Sequence, residues 1–200
     1  MRLKDAIDTA VTVLNDDGVT YARPDLLRYA NDALDAILLL APHLFHETGE
    51  LDCVDGETIQ AISFDDAHAL ASVVRVKNGN ALNMFDKATM DMYRPGWHQD
   101  PAGPARGWCP DASGNPMRFY IWPKAPANQI LEVVYVRVPK EYNETEETGL
   151  PATYAGAIAD FIVASAESRD DEHANSGRAV IFFNKFMAHF RPNEPVRSSQ

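Results

Sequence analysis

The residues best suited to metal binding or catalysis form short groups of acids and histidines. His43 and His46 lie three positions apart, a spacing that can place both on one helix face, and Glu47 follows directly. Pro42 puts this group at the end of a helix, however, and no third histidine lies near it. We therefore expect a surface or capping role for these residues, with no metal site.

Two further groups combine carboxylates with an imidazole. Residues 65–68 (DDAH) are expected to form a turn before a strand. Residues 170–173 (DDEH) are expected to form a turn between two helices, where the acids favour the N-terminus of the second helix. The phosphate-binding loop, the dinucleotide-binding turn, the zinc-protease motif and the nucleophile elbow are all missing from the sequence. The sequence thus predicts no catalytic, cofactor or metal site, and we do not expect an enzyme.

Trp97 and Trp108 lie in a long irregular segment, residues 80–116, that is rich in proline and glycine. A loop of this length inside a compact domain is usually functional or disordered. Large aromatic side chains are enriched where partners bind. Either this loop contacts a partner through the two tryptophans, or the two indoles plug the edge of the local core.

The charge of the chain limits its partners. The 200 residues carry a formal net charge of −11, so the protein is a poor candidate for a clamp on nucleic-acid phosphates. Between Arg28 and Arg75 the sequence has acidic residues but no lysine or arginine. This stretch forms either a solvated face or a surface that meets a polyanion without binding it.

Cysteine usage and hydropathy indicate where the protein is made. Cys53 and Cys109 are far apart and form no metal-binding or redox motif, which is typical of reduced thiols in a bacterial cytoplasm. The first residues lack the apolar core of a signal peptide, and the longest apolar run, residues 36–41, is too short to span a bilayer. We expect a soluble protein with no membrane contact.

The spacing of apolar residues predicts the helices that position these residues, and proline and glycine mark their ends. Helical spacing of apolar residues predicts a first helix over residues 3–14, ended by residues 16–18 (DDG), and a second from Arg23-Pro24 to Pro42. Two C-terminal helices are predicted from Leu150-Pro151 to about residue 169 and from there to Arg191-Pro192. In the last helix the apolar positions are Val180, Ile181, Phe183, Phe186, Met187 and Phe190.

The middle of the chain changes to the alternation of strands. Residues 50–54 and 58–63 predict a hairpin around Asp55-Gly56. A strand at 72–77 ends at Asn78-Gly79, and residues 117–122 and 130–138 predict a second hairpin. A short helix is predicted over residues 87–93.

Together these elements predict an α+β protein in which a four-helix bundle carries an inserted antiparallel β-rich region. We expect a single domain over residues 1–200. Its parts are a helix pair (1–48), the insert (49–139, with the loop 80–116), a second helix pair (149–191) and a mobile tail (192–200).

This order of elements resembles the head-to-tail adaptors of tailed bacteriophages, the family that includes the tail tubular protein A of short-tailed phages. The likeness is carried by residues 28–33 (RYANDA), 119–126 (FYIWPKAP), 149–154 (GLPATY), the small-residue helix at 155–170 and the aromatic helix at 179–190. The joint pattern covers nearly the whole chain in order.

The resemblance implies a structural virion protein, a single adaptor domain assembled in the host cytoplasm. It implies a ring of about twelve copies between the portal protein and the tail nozzle or tail tube protein, with DNA leaving the head through the channel. It also implies portal contact near the C-terminus, where the candidate residues are Phe190, Arg191 and Arg197. That region becomes ordered on the portal, or it is a tail without a fixed partner.

Two other functions remain open at this point. One is a different structural protein of the phage neck or tail, although helices around a β-insert favour the adaptor. The other is a small-ligand-binding or enzymatic domain in which the Trp97–Trp108 loop covers a pocket.

Overall fold

The computed structural model describes residues 1–15, 20–169 and 176–191. The chain divides into two compact units: a helical unit (Met1–Leu44 with Pro139–Gln200) and a β-rich unit (Phe45–Val138). The helices are α1 (Leu3–Leu14), α2 (Arg23–Leu40), α3 (Lys87–Tyr93), α4 (Ala155–Glu167) and α5 (Ser176–Ala188). The strands are β1 (His46–Asp52), β2 (Ile59–Ala61), β3 (Ala67–Val76), β4 (Asn83–Met84), β5 (Gly107–Pro110), β6 (Arg118–Trp122) and β7 (Ile130–Arg137). The predicted α+β class is confirmed.

Local sequence sets the ends of the N-terminal helices close to where we predicted them. α1 ends at Leu14, and Asn15 adopts a left-handed conformation (φ 54°) that asparagine tolerates better than most residues. The predicted stop at residues 16–18 lies outside the described residues. α2 has Pro24 in its first turn and ends at Leu40, just before Pro42.

Helix α4 is the centre of the helical unit, because α1, α2 and α5 all pack against it. It starts at Ala155, after a short 3₁₀ turn over Ala152–Tyr154, and so a few residues later than predicted. Its buried residues lie all around the helix and include Ile158, Ile162 and Val163. α5 packs mainly against α4. These contacts show one central helix with three neighbours, and do not by themselves show the regular four-helix bundle that we expected.

The β-rich unit contains two sheets that share one core. The first is antiparallel with the order β1-β7-β3, and the second has the order β2-β6-β5-β4. In the second sheet β4 pairs with β5 in parallel, so the insert is not wholly antiparallel as predicted. Fully buried side chains from both sheets, such as Leu131 and Val133 of β7 and Phe119 and Ile121 of β6, belong to a single apolar cluster.

Both predicted hairpins are wrong, because each pair of strands is divided between the two sheets. β1 pairs with β7 while β2 pairs with β6, so the turn at Asp55-Gly56 carries the chain from one sheet to the other. The buried amide of Gln60 holds this crossover: its Oε1 accepts from Val54 N (2.7 Å), and its Nε2 donates to Val54 O (3.2 Å) and Glu57 O (3.0 Å). The chain also changes sheets between β6 and β7.

The central position of α4 gives a stability prediction. Ile158→Ala removes a fully buried side chain and should lower the free energy of unfolding by about 2–5 kcal/mol. The matched control is Ile181→Ala on α5, where the side chain is 57% exposed and the change should cost less than about 0.5 kcal/mol. Urea unfolding followed by far-ultraviolet circular dichroism measures both. Equal costs would contradict the central role of α4.

Candidate interaction surfaces

Helix α5 exposes three of its large apolar side chains. Val180 is 59% and Ile181 57% exposed, and Phe183 is also exposed, whereas only Ala179 and Phe186 of this helix are buried. We expected the apolar positions of the last helix to be buried against the other helices, and for these three residues that is wrong. The reason is that α5 packs mainly against α4, which leaves its opposite side uncovered in the single chain.

An apolar groove of about 380 Å³ runs between α4 and α5. It is lined by Phe161, Ala164, Ser165, Ser168, Ala179, Val180 and Phe183. Only two of these residues, both serines, carry a polar side-chain group, and none carries a charge. The groove therefore offers van der Waals contact to an apolar side chain and no group for acid–base chemistry.

The predicted portal residues lie at the C-terminal end of α5 and beyond it. The ring of Phe190 stacks on Tyr154, with centroids 5.9 Å apart, and meets the ring of Phe186 at 5.2 Å. Phe190 thus fixes the end of the helix against the start of α4. Arg191 is exposed, and Arg197 lies outside the described residues, as does the predicted mobile tail. Contact of these three residues with a portal stays a prediction.

The two tryptophans of the loop 80–116 lie in the core of the β-rich unit. Trp97 is fully buried, with its Nε1 donating to Asp91 Oδ1 (2.8 Å), and Trp108 packs edge-on against Phe119. This placement matches the second of our two alternatives, in which the indoles fill the edge of the core. The loop contains the strands β4 and β5 in addition to the predicted helix α3, and the rest of it is irregular as expected.

Other side chains supply the exposed part of this loop. Tyr93 is 79% exposed at the end of α3, and Met92 and Met84 are also exposed. Our sequence reasoning did not single them out. They are exposed because α3 is a short helix with no buried residue.

Two carboxylates hold the loop in place. Asp91 accepts from Lys87 Nζ (2.6 Å) and from Trp97, and Asp100 accepts from Trp122 Nε1 (2.6 Å) and Arg94 (3.0 Å). These hydrogen bonds, from Lys87 to Asp91 and from Trp122 to Asp100 above all, hold the pKa of each carboxyl below its usual value. His98 stacks on Trp97 with ring centroids 3.6 Å apart, and burial lowers its pKa.

The described acid and histidine groups noted in the sequence lie in turns and strands, and two of their carboxylates bind neighbouring side chains. His43 lies in a 3₁₀ turn and His46 begins β1, so they do not share a helix face. Glu47 is paired with Arg137 (2.9 Å). Residues 65–66 form the predicted turn before β3, and Asp66 accepts a hydrogen bond from Tyr135 (3.3 Å). The group at 170–173 lies outside the described residues. Within the described ranges, no three such side chains are arranged to hold a metal ion.

An acidic groove of about 460 Å³ lies beside α2 in the helical unit. Asp32 and Asp35 of α2 and Glu141, in the segment after β7, contribute its carboxylates. Partial burial, and secondarily the charge of Asp32, raises the pKa of Asp35. Arg28 also lines the groove, but it is paired with Asp25 (3.6 Å). No basic side chain in the described part of the chain lies within ion-pair distance of Asp32 or Asp35.

This α+β protein thus presents two kinds of surface on its helical unit: an exposed apolar helix and an acidic groove. The family model described as SU10 adaptor protein matches residues 1–194. The chain belongs to this family of phage head-to-tail adaptors, which confirms the resemblance seen in the sequence. No curated protein matches the chain.

Family membership identifies a structural component of a bacteriophage virion that associates with other virion components. None of the helices in residues 1–15, 20–169 and 176–191 is long and apolar enough to cross a bilayer.

The carboxylates of the loop predict a pH dependence. Because the pKa values of Asp91 and Asp100 are lowered in the folded protein, their hydrogen bonds contribute stability above about pH 4 and lose it as the pH falls through the lowered values. Hydrogen-exchange protection of residues 86–100 should therefore decrease between about pH 5 and pH 3. The double variant Asp91→Asn, Asp100→Asn should show a weaker dependence, and Asp55→Asn, at an exposed turn, should behave as wild type. A wild-type protection that does not change with pH would refute this account.

Proposed function

We propose that this protein forms a closed ring of about twelve copies between the portal and the tail nozzle or tail tube, and that the viral DNA leaves the head through the ring. The observation that carries the proposal is the match of one adaptor family across residues 1–194. The match covers the β-rich unit completely and the helical unit except for residues 195–200, so we propose that the two units serve as one adaptor domain, with the helices packed as a bundle. Assembly takes place in the host cytoplasm.

The electrostatics of the chain support a passive conduit. A channel that attracted phosphates would hold the genome back, whereas a net charge of −11 repels it. Several acids of the stretch between Arg28 and Arg75 are exposed, and some are paired: Glu47 with Arg137, and Glu50 with Lys77 (2.6 Å). DNA therefore passes without specific binding.

The C-terminal end of α5 is the proposed portal contact, through Phe190, Arg191 and Arg197. Phe190 packs on Tyr154 and so gives this end a fixed position from which the exposed Arg191 can reach a partner. The loop 80–116 is the proposed contact with a tail component. Its surface at that contact consists of Tyr93 and Met92, while Trp97 and Trp108 support it from the core.

Electron microscopy of the purified protein, alone and mixed with the cognate portal, tests the adaptor function. We expect rings whose symmetry matches that of the portal, formed either by the free protein or only on the portal. A protein that neither binds the portal nor forms rings on it would refute the proposal.

Reversal of one charge tests the portal contact. Arg191→Glu should weaken binding to the purified portal by about tenfold or more, because it replaces a cation with an anion at the contact. Lys4→Glu, an equal charge change at an exposed position of α1, should leave the affinity unchanged. Deletion of residues 192–200 examines the contribution of Arg197. Biolayer interferometry against immobilised portal measures all three variants, and wild-type affinity in both Arg191→Glu and the deletion would exclude this contact.

A further inference from the structure

The acid-free helix α5 and the part of α2 that carries Asp32 and Asp35 have complementary exposed faces. Residues 176–191 contain three basic residues and no acidic one, although the whole chain has a net charge of −11. The uncovered side of α5 is formed by Val180, Ile181, Asn184 and Lys185, all exposed. No carboxylate in the described part of the chain lies within ion-pair distance of Lys185, which contacts the ring of Phe182 instead (4.2 Å).

The exposed side of α2 has the opposite charge and an apolar end. Asp32, Asp35 and Leu39 are spaced three and four residues apart, so they follow one another along one side of the helix. Arg28 begins the same row four residues before Asp32, and its charge is paired with Asp25 (3.6 Å). Leu39 is 74% exposed, and Leu40 beside it is exposed as well. The like charges of Asp32 and Asp35 raise the free energy of the isolated chain, and a cation from outside would lower it.

The two faces also match in spacing. On α2 the apolar Leu39 follows the acid Asp35 by four residues, and on α5 the basic Lys185 follows the apolar Ile181 by four residues. Four residues of helix correspond to about 6 Å. An antiparallel arrangement of the two helices therefore places Ile181 on Leu39 and Lys185 on Asp35 at once. A parallel arrangement would place the apolar residue against the acid.

We propose that α5 of one copy docks antiparallel on α2 of a second copy of this chain, with Ile181 against Leu39 and Lys185 against Asp35. This inference rests on the proposed ring, whose copy-to-copy contact it identifies. The two faces belong to different helices, so the contact is heterologous, and each copy can use α5 toward one neighbour and α2 toward the other. Repetition of such a contact closes into a ring when the rotation allows it.

Charge reversal and mixing test the docking. Lys185→Glu places an anion against Asp35, and Asp35→Lys places a cation against Lys185. Each variant alone should associate with itself roughly tenfold or more weakly than wild type. An equimolar mixture should recover association, because the new anion on α5 of one variant then meets the new cation on α2 of the other, while the second contact of each copy stays as in wild type. Native mass spectrometry and light scattering measure association in solution, and electron microscopy measures it on the portal.

The matched controls are Lys4→Glu and Asp5→Lys, which make the same charge changes at exposed positions of α1, outside both faces. Both should associate as wild type does. A zero-length carbodiimide cross-link on the wild-type assembly tests the register, and we expect peptides that join Lys185 of one copy to Asp35 or Asp32 of another.

The outcomes separate this inference from the proposed function. If wild-type rings form but neither reversal weakens them, or if the mixture does not recover association, the docking is wrong and the adaptor function stands. If wild-type copies associate neither in solution nor on the portal, both are wrong. Recovery in the mixture also shows that both variants fold, since misfolded chains would not complement each other.

Discussion

The burial of α4 is the constraint on which the helical unit depends. A helix that touches three neighbours must be thin on several sides, and α4 meets this need with the buried residues Ala157, Ala159, Ala164 and Ala166. At its end, the buried carboxylate of Glu167 is paired with Arg178 of α5 (2.9 Å), as a charge in such a position requires. Once α1, α2 and α5 have covered α4, α5 has one side in the core and the opposite side in solvent. The exposed apolar face of α5 is thus a consequence of how α4 is packed.

The sequence predicted those features of the fold that local chemistry decides. Pro24 and Pro42 mark α2, and the short helix α3 has the predicted bounds of residues 87 and 93. Strand pairing could not be predicted in this way. A turn such as Asp55-Gly56 indicates that the chain changes direction, but it does not say which sheet the next strand joins. The pairing is long-range, because β1 pairs with β7 and β2 pairs with β6. Buried amides hold the two crossovers: Gln60 bonds to the nearby Val54 and Glu57 at one, and Gln129 accepts from Ala105 N (3.0 Å) at the other.

The candidate surfaces were predictable in composition but not in exposure. The sequence showed that the last helix has an apolar face, yet nothing local could show that this face stays uncovered, because that depends on which helices surround α4. The same limit applies to the loop 80–116. Trp97 and Trp108 were candidates for partner contact because large aromatic side chains are enriched at interfaces, but large apolar side chains also fill cores, and both indoles are buried here. Tyr93 is exposed because α3 lies at the surface. The adaptor family was recognisable because the order of elements along the whole chain carries that information.

The three tryptophans of the chain, Trp97, Trp108 and Trp122, all lie in the β-rich unit. Intrinsic tryptophan fluorescence therefore reports on this unit alone, because the helical unit contains no tryptophan. A tryptophan introduced in place of the exposed Phe183 would provide a second reporter, on α5. In a variant whose native indoles are replaced, this tryptophan would report on the helical unit alone, and comparison with the wild-type chain would follow the melting of each unit separately.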